Sequence, residues 1–135
     1  MAIAKILVVE DERTVATDLK KRLTMLGYTV PATVSSGKAA IKKAAESHPD
    51  LVLMNMQLKG ELDSFKAARQ IHGLLDIPVV FLADEIDDPT ARKSTAPDPF
   101  GYIPKSLLET KLHLGIETAL YNHKMKKVRG LFSSR

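Results

Sequence analysis

The chain is expected to fold as an α/β protein, a doubly wound (βα)5 three-layer sandwich around one parallel sheet of order 2-1-3-4-5. Three observations point there. Short apolar runs alternate with helix-period segments along nearly the whole 135 residues. Three of those runs (4–9, 51–54 and 78–82) are almost continuously apolar, as strands covered on both faces are. A further run, 28–34, contains Pro31, which has no N–H for a ladder and belongs at a sheet edge. Right-handed crossovers leave few topologies for five βα units, and the order 2-1-3-4-5 puts the proline strand at the edge.

Each element follows in turn. After the strand at 4–9, Val15, Leu19, Leu23 and Leu26 keep a helical stripe over 12–26, and Gly27 is a natural stop. The edge strand at 28–34 leads to a helix over 37–47 with a small-residue stripe, Ala40, Ile41, Ala44 and Ala45. His48-Pro49 ends it. The strand at 51–54 is followed by a helix over 62–72, with Phe65, Ala68 and Ile71 on one face and Gly73 as its expected end. After the strand at 78–82, a weak helix is expected over 88–96, with little apolar face and Pro97 and Pro99 beyond it. The last strand, 100–103, feeds a helix over about 106–126, with Leu108, Leu112, Ile116, Ala119 and Leu120 in register.

Composition bounds the function. Apolar residues make up 44% and charged residues 27%, ordinary for a globular domain. The expected division is one domain over 1–125 and a basic C-terminal tail or linker over 126–135. The longest apolar run, 79–83, is too short to span a bilayer. The N-terminus shows no charged leader before a long apolar segment, so no signal peptide is expected. The absence of cysteine excludes disulfides, thiolate chemistry and Cys-based zinc sites. Together these are read as a cytoplasmic protein without a membrane partner. The net charge of +4 is concentrated in His123-Lys124-Met125-Lys126-Lys127-Val128-Arg129. That run is read as a solvated helix end matched to the dipole rather than a nucleic-acid contact, because no aromatic is interleaved for stacking.

Three runs end in chemistry. Ile6-Leu7-Val8-Val9 leads into Glu10-Asp11-Glu12, Leu51-Val52-Leu53-Met54 into Asn55, and Gly101-Tyr102-Ile103-Pro104 into Lys105. In doubly wound sheets, ligands bind outside the carboxyl ends of the strands, at the switch point between strands 1 and 3. That places two carboxylates, an amide and an ammonium together. A carboxylate in place of the amide would make a phosphoryl-accepting site.

These residues resemble the receiver domain of two-component response regulators, over about residues 5–123. The resemblance rests on ILVVEDE (6–12), PDLVLMNMQL (49–58), IPVVFLAD (77–84) and GYIPKS (101–106), four landmarks in order at strand ends. It implies a flavodoxin-like fold and a role in phosphorelay signal transduction. It further implies that Glu10 and Asp11 hold magnesium, an ion that takes one or two carboxylates with water and phosphate. Asn55 stands at the phosphoacceptor aspartate. Lys105 matches the lysine that bonds the phosphoryl oxygens. Ala83 stands where a hydroxyl residue bonds the phosphoryl group and shifts on activation, and Tyr102 matches the aromatic that follows that shift. Ser106 replaces a proline, so the family's cis bond after the lysine is expected to be lost.

The departures converge on one mechanism. An amide oxygen is neutral and its lone pairs are delocalised, so Asn55 cannot form the acyl phosphate by the usual route. Ala83 cannot hydrogen-bond a phosphoryl group. Asp84 sits where a small neutral residue is usual, and its charge repels phosphate if it faces the site. Asp84 is also a candidate substitute metal ligand, weighed against a loop carboxylate facing water. Magnesium binding is accordingly expected to be weak. Asn55 has two explanations, an Asp-to-Asn change introduced into a working receiver or degeneration into a pseudo-receiver. Ala83, Asp84 and Ser106 also depart, which favours degeneration.

The residues and the resemblance together are read as a pseudo-receiver acting by protein–protein contact, with a sensor histidine kinase or a downstream signalling protein as partner. The contact face is expected to be made by 88–96, 100–103 and 106–126, which is also a possible homodimer surface. One alternative is a phospho-accepting receiver whose aspartate was changed to Asn55; another is a small-ligand binder in the doubly wound crevice, for which no glycine fingerprint is present. Independent enzymatic turnover is not expected, since no base–nucleophile pair lies beyond the acid cluster, and DNA binding by this chain alone is not expected. His48, His72, His113 and His123 show no metal spacing and no partner carboxylate pattern. Glu12 reads as the first turn of a helix, and Gly60 and Gly101 as turn glycines.

Overall fold

The computed structural model describes residues 4–60, 62–84 and 99–133. The strands are β1 (Ile6–Val9), β2 (Thr33–Val34), β3 (Leu51–Asn55), β4 (Val79–Ala83) and β5 (Gly101–Pro104). The helices are α1 (Arg13–Met25), α2 (Gly37–Ser47), α3 (Ser64–Leu75) and α4 (Leu108–Ser133), the last preceded by a 3-10 turn at Lys105–Leu107. The helix expected over 88–96 lies outside the described residues. All strands pair in parallel in the order β2-β1-β3-β4-β5, as the alternation of segments and the edge proline predict.

Strand periodicity divides the core into two layers. Side chains of successive strand residues point to opposite faces. Ile6, Val8, Leu51, Leu53, Val80, Leu82 and Ile103 therefore meet Leu19 and Leu23 of α1 and Leu112 and Ile116 of α4. Leu7, Val9, Val52, Met54, Val79 and Phe81 meet Ala40 and Ala44 of α2 and Ala67, Ala68 and Ile71 of α3. The small residues of α2 and α3 let these two helices pack closely: a Cβ on Gly37 would lie 3.0 Å from the Ala67 Cβ.

Several expectations are corrected in detail. The edge strand pairs only at Thr33 and Val34, with one isolated bridge between Lys5 and Thr29, because Pro31 interrupts the donors between them. In α1, Ala16 is buried with Leu19 and Leu23, whereas Val15 and Leu26 stay over a third exposed. Gly73 does not stop α3. The helix continues to Leu75, which packs on the core, and Asp76 closes it in the left-handed region at φ 58°. The cost of an interior glycine, about 1 kcal/mol, is evidently outweighed by that packing. Gly101 is the first residue of β5 rather than a turn, and a Cβ there would sit 3.2 Å from Val80 Cγ2. Gly60, by contrast, takes φ 121° in the β3–α3 connection, as a turn glycine does.

The final helix runs past the expected end near 126 to Ser133, so residues 126–133 are helical. The basic run 123–129 consequently lies before the last turn, which carries no basic residue, and the helix-end dipole reading does not apply to it. Asp76 holds this part of α4 against the end of α3. Its carboxylate lies 3.1 Å from Lys127 Nζ and 3.6 Å from His123 Nε2. The Lys127 hydrogen bond holds the Asp76 carboxyl below its ordinary value. His123 thus sits in a helix, as expected of the histidines, and also gains Asp76 as a carboxylate neighbour. The pairing is invisible in sequence because Asp76 and His123 are brought together only by the packing of α3 against α4.

Phe81 is the hub of an aromatic cluster that the sequence did not announce. Its ring is fully buried and lies 4.7 Å from Phe65, 5.2 Å from Phe100 and 5.6 Å from Tyr102, centroid to centroid. Truncating it leaves three rings facing a void. Phe81→Ala is expected to lower the unfolding free energy by about 3–5 kcal/mol, measured by urea denaturation. A loss under about 1 kcal/mol would show that the cluster collapses onto the gap without cost.

Candidate functional site

The strand register assembles the site. Val9 lies opposite Met54, so the next residues, Glu10 and Asn55, are neighbours at the carboxyl edge. Asn55 lies opposite Leu82, and Ala83 opposite Pro104. One residue past the last β4–β5 pair, Asp84 and Lys105 face each other. Glu10 and Asn55 are buried at 5% and 6% exposure, while Asp11 is half-buried and Lys105 and Asp84 are more open.

Asn55 is fully engaged by its surroundings. Its Oδ1 accepts from the Gln57 amide at 3.1 Å, and its Nδ2 donates to the Gln57 carbonyl and to Glu10 Oε2, each at 3.4 Å. The amide thus turns a donor toward a carboxylate, an approach that two ionised carboxylates would resist. Glu10 Oε2 also accepts from the Glu12 amide at 3.0 Å. Glu12 is the N-cap residue of α1, one position before the expected first turn, and its side chain makes no capping bond. Asp11 Oδ2 accepts from the Lys59 amide at 3.2 Å, which draws the β3–α3 connection over the acid pair. At the start of α3 the Ser64 hydroxyl donates back to the Met56 carbonyl of that connection.

The two acids are split. Burial pushes the Glu10 carboxyl above its ordinary value of 4.5, with the hydrogen bond to Asp11 and the Asp11 charge adding to it. The Glu12 amide and Lys105 oppose that rise without cancelling it. For Asp11, burial also pushes upward, but the Lys59 amide and the Glu10 hydrogen bond outweigh it and leave the carboxyl below its ordinary value. A carboxyl raised beside one lowered is the expected outcome for neighbouring acids in unequal environments.

Lys105 Nζ lies 3.1 Å from Asp84 Oδ1. Asp84 therefore meets the lysine, with 54% of its side chain exposed. Ala83 is buried at the end of β4 and offers no hydroxyl. Tyr102 is half-buried and stacks on Phe81 with ring planes 27° apart. No described peptide bond is cis.

Magnesium fits these residues poorly as arranged. Glu10 and Asp11 are two oxygen donors of the right kind, but the Asn55 oxygen and the Gln57 carbonyl are engaged with each other's donors. Among the described residues, no group of three His, Cys, Asp or Glu gathers to hold a metal. Glu10, Asp11, Asn55, Ala83 and Lys105 lie at or just beyond the carboxyl ends of their strands, and Tyr102 lies within β5 opposite Phe81. Sequence reasoning missed the backbone groups of Gln57 and Lys59 and the Asp84–Lys105 pair. The pair was within reach, since it follows from extending the β4–β5 register by one residue.

Comparison with known proteins agrees with this geometry. The family described as "Response regulator receiver domain" matches residues 6–117, and the chain belongs to that family. The regulatory protein AtoC of Escherichia coli is 29% identical over 127 residues, covering 93% of this chain and 27% of AtoC. The transcriptional regulatory protein AfsQ1 of Streptomyces coelicolor is 34% identical over 83 residues, covering 62% of this chain and 36% of AfsQ1. The chain thus spans about a third of the length of these curated relatives. The signal receiver domain of a modulated diguanylate cyclase from Desulfovibrio desulfuricans superposes with a TM-score of 0.80 at 31% identity, covering 91% of this chain and 98% of that one. The N-terminal domain of a response regulator/sensory box/GGDEF protein from Carboxydothermus hydrogenoformans gives 0.75 at 33% identity, covering 90% and 98%. No described helix is long and apolar enough to cross a membrane.

The split acids make a signed prediction. A carboxyl raised in the folded state contributes stability while it holds its proton. For Glu10 that contribution is complete below 4.5 and is lost as pH rises through the raised folded value. Glu10→Gln keeps an acceptor for the Glu12 amide and cannot ionise. Its unfolding free energy, relative to the unaltered chain, is expected to be higher at pH 7 than at pH 4. A difference that stays flat with pH, read by urea denaturation at both values, would contradict the assignment.

Proposed function

We propose that this receiver domain is a pseudo-receiver: it takes part in two-component signalling by protein contact and does not accept a phosphoryl group at Asn55. The observation that carries this reading is the state of Asn55. It is a buried amide whose oxygen accepts from Gln57 and whose nitrogen donates to Glu10 and Gln57. It has no anionic oxygen to attack phosphorus, and its neutrality relieves repulsion in the acid pair that a carboxylate would add. The cluster therefore needs neither phosphate nor full metal occupancy to be electrostatically settled. Ala83 and Asp84 support the same reading, one by lacking a hydroxyl and the other by its charge beside Lys105.

The partner is a sensor histidine kinase or a downstream signalling protein. The contact face includes β5 and α4, where a groove of about 710 Å3 is lined by Phe100, Tyr102, Leu107, Leu114 and Thr118 among others. That face also offers a homodimer surface. The setting is cytoplasmic, magnesium is held weakly by Glu10 and Asp11, and the chain has no turnover of its own. The alternative of a working receiver blocked only by Asn55 is distinguished by reversal of that residue. The small-ligand reading has no glycine fingerprint behind it.

Intact mass after incubation with magnesium and acetyl phosphate tests the proposal. The unaltered chain is expected to gain no phosphoryl group, and Asn55→Asp to gain one slowly and incompletely. Rapid, complete phosphorylation of Asn55→Asp would make Asn55 the sole block and overturn degeneration of the pocket. A gain on the unaltered chain would overturn the proposal outright and direct attention to Asp84 and Asp11 as acceptors.

A further inference from the structure

The cation of the site already has a partner built into the fold. Asp84 follows Ala83, the last residue of β4, and Lys105 follows Pro104, the last residue of β5. Ala83 and Pro104 are register partners. The two charged residues therefore leave adjacent parallel strands side by side, and the 3.1 Å contact between Nζ and Oδ1 follows from strand pairing rather than from a long side chain's chance reach. Lys105 begins a 3-10 turn that leads directly into α4, so the backbone on its side of the pair is also fixed.

We propose that Asp84 is a built-in counter-anion for Lys105 that keeps free phosphate and phosphoryl groups out of the pocket. This deepens the pseudo-receiver reading and rests on it. An anion approaching over Asn55 must share an ammonium that Asp84 already neutralises, and it meets the negative charge of Asp11 as well. The ligand class excluded is the tetrahedral oxyanion, which needs a cation and several donors. Here one strong cation is occupied, the Asn55 donor is aimed at Glu10, and Ala83 supplies no hydroxyl. Both partners of the pair are substantially exposed, at 37% and 54%, so the exclusion is modest in size and weakens with salt.

The test is a titration of the chain with inorganic phosphate at low ionic strength, followed by 1H–15N spectra at the backbone amides of residues 104–106 and the Asn55 side-chain amide. Asn55 is retained throughout and no phosphoryl transfer is asked for, so a failure here is separate from a failure of the mass experiment. Asp84→Asn is expected to bind phosphate about threefold more tightly than the unaltered chain, whereas Asp84→Glu, which keeps the anion, stays weak. In Asp84→Asn with Lys105→Gln, the gain is expected to vanish. Unchanged affinity in Asp84→Asn overturns the proposal, as does a gain that persists without Lys105. A parallel magnesium titration supplies the remaining arm. Equal affinities for the unaltered chain and Asp84→Asn agree with a lysine counter-anion, and a marked loss in Asp84→Asn would make the residue a metal ligand instead.

Discussion

The register of four parallel strands is the constraint on which the carboxyl edge of this molecule depends. Because Val9 lies beside Met54, Asn55 beside Leu82 and Ala83 beside Pro104, the residues just beyond the strands come out in a row. Glu10 meets Asn55, and Asp84 meets Lys105. A slip of one residue would exchange the two core layers, moving Leu53 and Val80 to the face of Phe81 and turning the chemistry inward. The register is held by alternate burial against α1 and α4 on one side and α2 and α3 on the other. The site is thus a consequence of core packing, and its charges are placed by residues that have no charge.

Within that frame the electrostatics are settled locally. One carboxyl is raised by burial, its neighbour is stabilised as an anion by a backbone amide, the amide at the acceptor position donates toward the first, and the lysine pairs with an aspartate. In a receiver that takes up phosphate, a third carboxylate would add repulsion that an ion or a phosphoryl-lysine contact relieves. Here the substitution of one oxygen by one nitrogen removes that repulsion at its source. Asn55 and Asp84 thus both move the pocket toward a balance of charge held by its own residues.

Much of this was legible in the sequence, for reasons that can be stated. Continuous apolar runs and Pro31 predicted the sheet order, and the run ends pointed to the residues now found at the carboxyl edge. What was lost depended on three-dimensional packing. Helix α3 outruns Gly73 because Leu75 finds the core, α4 outruns its apolar stripe, and His123 gains a carboxylate from a different helix. The aromatic cluster around Phe81 joins residues from α3, β4, β5 and the segment before β5, with no spacing to betray it. The backbone amides of Gln57 and Lys59, which hold Asn55 and Asp11, were equally hidden, because every residue has an amide and only the fold decides which one is aimed.

The central claim is that the conformation of the pocket and of the face beside it does not depend on phosphate. It is tested most directly by 1H–15N spectra of the chain with magnesium and beryllofluoride, a phosphoryl mimic, watching Tyr102 and its neighbours on β5. The expected spectra overlay those of the chain alone, with Tyr102 remaining on Phe81. A second set of resonances for Tyr102, or a concerted shift along β5 and the start of α4, would show a phosphate-responsive switch and contradict it.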